Sequence, residues 1–315
     1  MRIVGVTVVR DEEDVVEASI RSNLRALDAL VVVDHASTDA TPAILAALVA
    51  EGLPLEVSRD DSLEYRPSEM TTRLVRAALA RGADLCMPLD ADEFLLVASR
   101  TALEAAAVAA DPSRPLSVSE TIWIPDFDAP GDILARLHRG KRFVRRDAPP
   151  RKLIVRRAFA DLPSGVVDGG HRTLLPQAGA SPMPDVALDP AIASIAHVPV
   201  RSPEQFTAKV SVGHLSRLLG NPDPGEAAAG RYREAFEAIV AGRAPGRDGL
   251  ASIAASWGLP PGERGAAATG EWIDDRFPVD PALRYSPSRP SAPLARVLAF
   301  GERVAAEVAA TTGGL

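Results

Sequence analysis

Two aspartates separated by one residue, Asp90 and Asp92, follow the apolar run 85–89 and carry the side chains best suited to chemistry. In an extended segment, residues i and i+2 project to the same side, so these carboxylates can converge on one point. Hard oxygen ligands of this kind suit a divalent cation, such as one that neutralises a diphosphate. An acidic turn that merely ends a buried strand is an equally open interpretation of the tripeptide alone.

The elements that must position this pair are strands alternating with helices. Short β-branched or apolar runs predict strands over 3–9, 30–33, 55–58 and 84–89. Apolar spacing and capping residues predict helices over 14–27, 41–49 and 69–81. This alternation is typical of a mostly parallel sheet with helices on both faces, in which ligands bind at the carboxyl ends of the strands. We therefore expect Asp90 and Asp92 at the ligand-binding edge.

The regular alternation ends after the acidic pair. Further strands are predicted over 116–124, 152–155 and 192–200, followed by a helix over 203–219. Beyond residue 220 the sequence is rich in Ala, Gly and Pro, with helical patterns near 227–240 and 294–311. We therefore expect one α/β domain over 1–220 and a helical appendage over 221–315.

Composition excludes several classes of protein. The 315 residues are 46% hydrophobic and 24% charged, which is typical of a globular domain, and a net charge of −7 argues against general nucleic-acid binding. No apolar run is long enough to predict a transmembrane helix, and the start of the chain is typical of a first strand rather than a signal peptide. With one cysteine, Cys86, there is no internal disulfide framework, and we expect a cytoplasmic protein.

Polar residues also follow the other strands. The first strand leads into Arg10-Asp11-Glu12-Glu13, which lacks the glycines that a dinucleotide fingerprint or a P-loop requires. The second leads into Asp34, which could face a nucleobase or ribose, although helix capping explains the residues after it equally well. His197 ends the last predicted strand, where a lone histidine is more often a core residue than a ligand.

Taken together, these motifs resemble those of the family 2 glycosyltransferases with the GT-A fold, over roughly residues 1–215. Within this family the sequence most resembles a bacterial branch in which Thr72-Arg73 precedes the acidic motif. The matching segments are the polar run at 10–13, Asp-x-x-Ser-Thr-Asp at 34–39, Asp-Ala-Asp-Glu-Phe at 90–94, Gly-x-His at 169–171 and His-x-Pro-x-Arg-Ser at 197–202, with Lys209 after it.

The resemblance implies a GT-A-like α/β fold and a metal-dependent transfer of a sugar from a nucleotide-diphosphate donor to a hydroxyl acceptor, with inversion. It implies that Asp92 binds Mn²⁺ or Mg²⁺, with Asp90 and His197 completing the site. The residues expected to bind the nucleotide-sugar are Arg10, Glu12, Asp34, Asp61, Arg73, Asp90, Arg201 and Lys209.

An inverting transfer also needs a base that removes the proton of the acceptor hydroxyl. The candidates are Asp168 and His171, with Glu93 and Asp126 as further acids. Many family 2 enzymes carry an acidic pair in this region, whereas this chain has one acid followed by a histidine.

The sequence does not identify the acceptor, which could be a glycan, a lipid-linked sugar or a small molecule. The basic stretch 136–157 could dock an anionic acceptor or place the protein at the inner face of the membrane, and the C-terminal helices could form a homodimer.

Two other interpretations of the function stay open. A haloacid dehalogenase-type phosphatase also ends an apolar strand in Asp-x-Asp, although Phe94 stands where that family usually has Thr or Val. A catalytically silent carbohydrate- or nucleotide-binding module could use the same scaffold.

Overall fold

Four parallel strands form the N-terminal half of the main sheet. β1 (Ile3–Val9) lies between β2 (Ala29–His35) and β4 (Leu85–Pro88), and β3 (Leu55–Asp60) is the outer strand. All three pairings are parallel, so the carboxyl ends of these strands lie along one edge. The computed structural model describes residues 1–160, 165–166, 170–171, 173–174, 183–220, 226–257, 259, 269–288 and 292–312.

Helices cover both faces of this half, as the alternating pattern predicted. They are α1 (Val16–Asn23), α2 (Thr41–Ala50) and α3 (Pro67–Ala80), and α2 and α3 each begin with proline in the first turn, where its fixed φ favours the helix. Ile3 and Val9 of β1 pack in the core cluster that contains α1 and α2 residues. Val4 and Val6 pack in the cluster that contains α3 residues, so successive β1 side chains alternate between two cores.

The second half of the sheet is mixed. Its strands are β5 (Glu93–Val97), β6 (Leu116–Ile124), β7 (Lys141–Arg145), β8 (Arg151–Arg156), β11 (Val186–Ala187), β12 (Ala193–His197) and β13 (Gly270–Asp274). β8 lies antiparallel between β4 and β6, and β12 pairs parallel with β6 and antiparallel with β5. A separate hairpin joins β9 (Gly165–Val166) and β10 (Thr173–Leu174). The predicted α/β fold class, with a sheet flanked by helices, is confirmed.

The remaining helices are α4 (Arg100–Ala109), α5 (Ile133–Leu137), α6 (Pro203–Gly220), α7 (Glu226–Val240), α8 (Arg247–Ala255) and α9 (Pro293–Thr312). Elements after residue 220 pack directly on the sheet and its helices, because β13 extends the sheet beyond β7 and α9 packs on α6. The predicted boundary at residue 220 stays a prediction. None of the helices in the described ranges is both long and apolar enough to cross a membrane.

Candidate active site

Asp90 and Asp92 lie in a tight turn between β4 and β5, and not in the extended segment that we expected. The Glu93 backbone N–H donates to the Asp90 carbonyl at 3.1 Å, and the Asp90 N–H donates to Glu93 Oε2 at 2.9 Å. Strand β5 begins at Glu93, directly after the pair, and this reversal prevents the chain from staying extended. The side chain of Asp90 is 49% exposed, whereas that of Asp92 is 2% exposed.

His197, the last residue of β12, faces this turn. Its Nε2 atom is 3.4 Å from Asp92 Oδ1, and the Val198 N–H donates to the Asp92 carbonyl at 2.9 Å, which ties the end of β12 to the turn. Asp90, Asp92 and His197 each offer one ligand atom, and these atoms lie within 4.8 Å of one another. The carboxylate oxygens suit Mn²⁺ or Mg²⁺, and the imidazole nitrogen suits the softer Mn²⁺ better than Mg²⁺, so these three residues fit an ion that the resemblance implies.

Two cations, one from the segment between β12 and α6 and one from α6, neutralise the buried Asp92. Lys209 Nζ is 2.6 Å from Asp92 Oδ2, and Arg201 Nη1 is 3.3 Å from the same oxygen. Burial alone would raise the pKa of Asp92, but Lys209, His197 and Arg201 hold it well below its usual range. Asp92 is therefore an ionised carboxylate with one oxygen facing Lys209 and Arg201 and the other facing His197.

Arg201 also joins the Asp92 turn to the loop after β1. It is fully buried, its Nε donates to Asp14 Oδ2 at 2.9 Å, and its Nη2 donates to Glu12. Since its three nitrogens all face carboxylates, Arg201 fixes the mutual position of β1 and the turn. Lys209 is different, because its side chain is 20% exposed and it lines an open pocket.

A second group of charges lies on the other side of His197. Glu120 of β6 places Oε2 at 3.3 Å from His197 Nδ1 and Oε1 at 3.5 Å from His171 Nδ1. Buried Lys152 of β8 lies 2.9 Å from Glu93 Oε1 and 3.2 Å from Asp90 Oδ2. Burial alone would lower the pKa of His197, but hydrogen bonds to Asp92 and Glu120 raise it to about 10. In the free protein His197 is therefore protonated, and a bound metal ion would replace that proton.

Sequence reasoning did not identify Glu120 and Lys152 as site residues. Glu120 lies on the inward face of β6, whose neighbouring positions on that face are the buried apolar residues Val118 and Ile122. Its charge at an inward position of a buried strand could have marked Glu120 as a site residue, because a buried charge requires a charged or hydrogen-bonding partner.

Of the two predicted base residues, the structure describes only His171, and Asp168 lies outside the described residues. His171 Nδ1 donates to the Arg151 carbonyl at 2.7 Å, so in the neutral ring Nε2 carries the lone pair that can accept a proton. Gly170, at φ +71°, lies so close to β4 that a Cβ atom would come within 2.9 Å of Pro88 Cγ. Glycine at this position therefore lets the backbone just before His171 lie against Pro88 of β4. Asp126 accepts a hydrogen bond from the Asp128 N–H.

The residues predicted to contact the nucleoside lie at the ends of β1, β2 and β3. Asp34 is buried and accepts from Arg59 Nη1 at 2.6 Å, and exposed Asp61 accepts from Arg59 Nε at 2.7 Å, so Arg59, which sequence reasoning missed, joins the two acids. Arg10 points inward, where its Nε donates to the His35 carbonyl at 2.7 Å and burial lowers its pKa to about 10. Arg73 lies on α3 with a side chain that is 66% exposed.

Two openings adjoin these residues. One lies between the end of β1 and α6, and its lining includes Arg10, Glu12, Tyr65, Lys209 and Arg217. The other lies between β1, α3 and β4, and its lining includes Thr7, Tyr65, Thr71, Pro88 and Asp90. Tyr65 lines both, so the two openings flank one aromatic side chain beside the acidic turn.

No protein-family model matches the sequence, and no curated protein sequence matches it. Several solved structures are similar to parts of this chain, all at TM-scores below 0.5. TarS residues 1–349 from S. aureus is 16% identical, over 76% of this chain and 71% of that chain, with a TM-score of 0.37. The mannosyltransferase PcManGT from Pyrobaculum calidifontis, in complex with GDP-Man and Mn²⁺, is 16% identical over 84% of this chain and 83% of that chain, with a TM-score of 0.36.

Glucosyl-3-phosphoglycerate synthase from Mycobacterium tuberculosis, in complex with Mn²⁺, UDP and phosphoglyceric acid, is 20% identical. The match spans 38% of this chain and 43% of that chain, with a TM-score of 0.27. These similarities concern the α/β architecture, and they transfer neither substrate nor ligand to this chain.

Proposed function

We propose that this protein is a nucleotide-sugar-dependent glycosyltransferase that moves a sugar to a hydroxyl group. The observation that carries the proposal is the meeting of Asp90, Asp92 and His197 within 4.8 Å at the carboxyl edge of the sheet. Ligands of open α/β sheets bind at that edge, and both openings beside Tyr65 reach it. The order of the motifs along the sequence supports the same function.

In this proposal, Asp92, Asp90 and His197 hold Mn²⁺ or Mg²⁺. When bound, the ion would offset the negative charge of the leaving nucleoside diphosphate. Arg201 keeps Glu12 and Asp92 in place, since its donors are already used within the protein. Lys209 is the cation that can turn toward a phosphate, because it lines the pocket and its side chain is partly exposed.

We propose His171 as the base for the acceptor hydroxyl. The Arg151 carbonyl fixes its Nδ1 proton, and Glu120, at 3.5 Å, stabilises the ring once Nε2 has taken a second proton. Asp168 is the second candidate. The direct displacement that this base assists would invert the sugar's anomeric centre. Residues 1–220 would then supply both the residues that bind the donor and the base. The acceptor would be a compound with a free hydroxyl group.

A thermal-shift screen tests the proposal. UDP, GDP, ADP, CDP and dTDP are each added with and without Mn²⁺, to the wild type and to Asp92→Asn. We expect at least one nucleotide to raise the melting temperature only when Mn²⁺ is present, and Asp92→Asn to lose this shift relative to its own melting temperature.

The absence of a shift with every nucleotide would contradict the proposal. Release of nucleoside diphosphate from the corresponding nucleotide-sugar then separates an enzyme from a silent binding module. Binding without any release, with or without added acceptor sugars, would favour the silent module.

A further inference from the structure

The C-terminal helix α9 turns one face toward the carboxyl ends of the strands. Arg296, Val297, Phe300, Arg303 and Val304 occupy this face at helical spacing. The buried Phe300 ring packs in a cluster with Leu63, which follows β3, and with Val212 of α6. The helix is thus fixed over the loops in which we expect the nucleoside of the donor.

Two of these loops contain an unusual backbone conformation. Among the residues that the structure describes, Asp11 (φ +55°) and Ala36 (φ +59°) are the only non-glycine residues at positive φ. Asp11 follows β1 and Ala36 follows β2. L-residues adopt the left-handed region reluctantly because Cβ crowds the following carbonyl, and alanine has no polar side chain that could compensate. The two loops hold each other in part, since the Asp11 N–H donates to Ser37 Oγ and the Thr38 N–H donates to Asp11 Oδ1. Contacts from other elements add to these hydrogen bonds.

The two arginines of α9 provide such contacts. Arg296 Nη1 donates to the Asp11 carbonyl at 3.1 Å, and Arg303 Nη1 donates to the Ala36 carbonyl at 3.1 Å. Arg303 Nη2 also donates to the carbonyl of Asp61, after β3, at 2.7 Å. Each of the three loops after β1, β2 and β3 therefore offers a backbone carbonyl to an arginine of α9, and two of these carbonyls belong to the residues at positive φ.

We propose that Arg296 and Arg303 are positioning residues for the donor, which hold the loops after β1, β2 and β3 in the shape that receives its nucleoside. This inference rests on the proposed function and on the expectation that Glu12, Asp34 and Asp61, which lie in or next to these loops, contact the nucleotide-sugar. Loops that are already ordered in the binding conformation do not lose conformational entropy when the ligand binds. Removal of the arginines that order them should therefore weaken binding. His171 lies on the separate β9–β10 hairpin, and the chemical step should therefore change less than donor affinity.

Arg303→Ala is the informative variant, with Arg303→Lys as its conservative counterpart and Arg233→Ala, an exposed arginine on α7, as the control. Loss of two hydrogen bonds predicts that Arg303→Ala raises the donor KM and the Kd of the nucleoside diphosphate about tenfold, with kcat changed less than about twofold. Amide hydrogen exchange should quicken in segment 34–40 and stay at the wild-type rate in β6. Lysine should recover part of the affinity, and Arg233→Ala should behave as the wild type.

Ala36→Gly gives a second, independent arm. Glycine adopts positive φ freely, so the loop after β2 should need Arg303 less. The effect of Arg303→Ala on Kd and on hydrogen exchange should then be smaller in the Ala36→Gly background than in the wild type.

Wild-type exchange in segment 34–40 of folded Arg303→Ala would overturn the inference, as would equal effects of Arg303→Ala in both backgrounds. If Arg303→Ala fails to fold, Arg303→Lys replaces it in both the wild-type and the Ala36→Gly backgrounds. The inference is then judged by the same two criteria. If the wild type binds no nucleoside diphosphate, the proposed function fails, whereas hydrogen exchange still shows whether α9 holds the loops.

Discussion

Lys209→Met should affect the two expected ligands in opposite directions. Lys209 Nζ lies 2.6 Å from Asp92 Oδ2, an oxygen next to the site where a metal ion would bind. In the protein without metal the ammonium group thus competes with the ion for this carboxylate. Methionine keeps most of the apolar stem and removes the ammonium group, which also lies 5.5 Å from the centre of the Trp257 ring.

The magnitude follows from what the ion must displace. A charge-assisted hydrogen bond of this length at a partly buried site contributes about 1.5–3 kcal/mol. If the ion no longer has to break it, Mn²⁺ affinity should increase about 10–100-fold. Arg201 and His197 still face Asp92 in the variant, so the carboxylate does not become an isolated buried charge. Nucleoside diphosphate affinity at saturating Mn²⁺ should decrease about tenfold, because one phosphate cation is lost.

Calorimetric titration of Mn²⁺ without nucleotide measures the first effect, and titration of nucleoside diphosphate at saturating Mn²⁺ measures the second. Lys141→Met, at an exposed lysine of β7, is the control and should change neither. Unchanged or weaker Mn²⁺ binding by Lys209→Met would refute the reasoning, because Lys209 would then not compete with the ion.

Three further predictions concern buried titratable side chains. Lys152→Met should lower the free energy of unfolding by about 3–5 kcal/mol, measured by urea denaturation, because Glu93 and Asp90 lose their shared cation. Burial and Arg10 lower the pKa of His35 to about 4, so between pH 4 and 6.5 the unfolded state binds the extra proton and stability falls as the pH falls. His35→Gln should remove a slope of up to about 1.4 kcal/mol per pH unit from stability measured against pH, and equal slopes would contradict this. Glu120→Gln should lower kcat about 10–100-fold with little change in donor KM, and a shifted pH profile of kcat would separate this from a loss of folding.

The parallel half of the fold was predictable because its signals are local. β-branched runs, apolar spacing and the early prolines each act within a few residues, and β1 and β6 have the bounds that the sequence predicted. None of the helices α1, α2 and α3 has a side-chain cap, so the capping residues were not the signal that held. The position of Asp90 and Asp92 after β4 follows from the same local pattern. A turn at this point was one of the two interpretations left open, but the strand that follows it was not predictable, because β5 pairs with β12 about a hundred residues later in the chain.

The partners of the site charges are distant in sequence for the same reason. Glu120 meets His197 across 77 residues, and Arg201 meets Asp14 across 187. No spacing rule relates such residues, and only the pairing of strands brings them together. Gly170 has a long-range role of the same kind, because its missing side chain makes room for Pro88 of β4.

The contacts of α9 also set an order of events during synthesis of the protein. Arg303 reaches the carbonyls of Ala36 and Asp61 across 267 and 242 residues. A chain that emerges from the ribosome N-terminus first makes β1, β2 and β3 long before α9 exists. During that interval the carbonyls of Asp11 and Ala36 lack their α9 donors, Arg296 and Arg303. The donor side of the site should therefore reach its final shape only after α9 has been synthesised and has docked, so a nascent chain that already contains every metal-site residue would still bind nucleotide weakly.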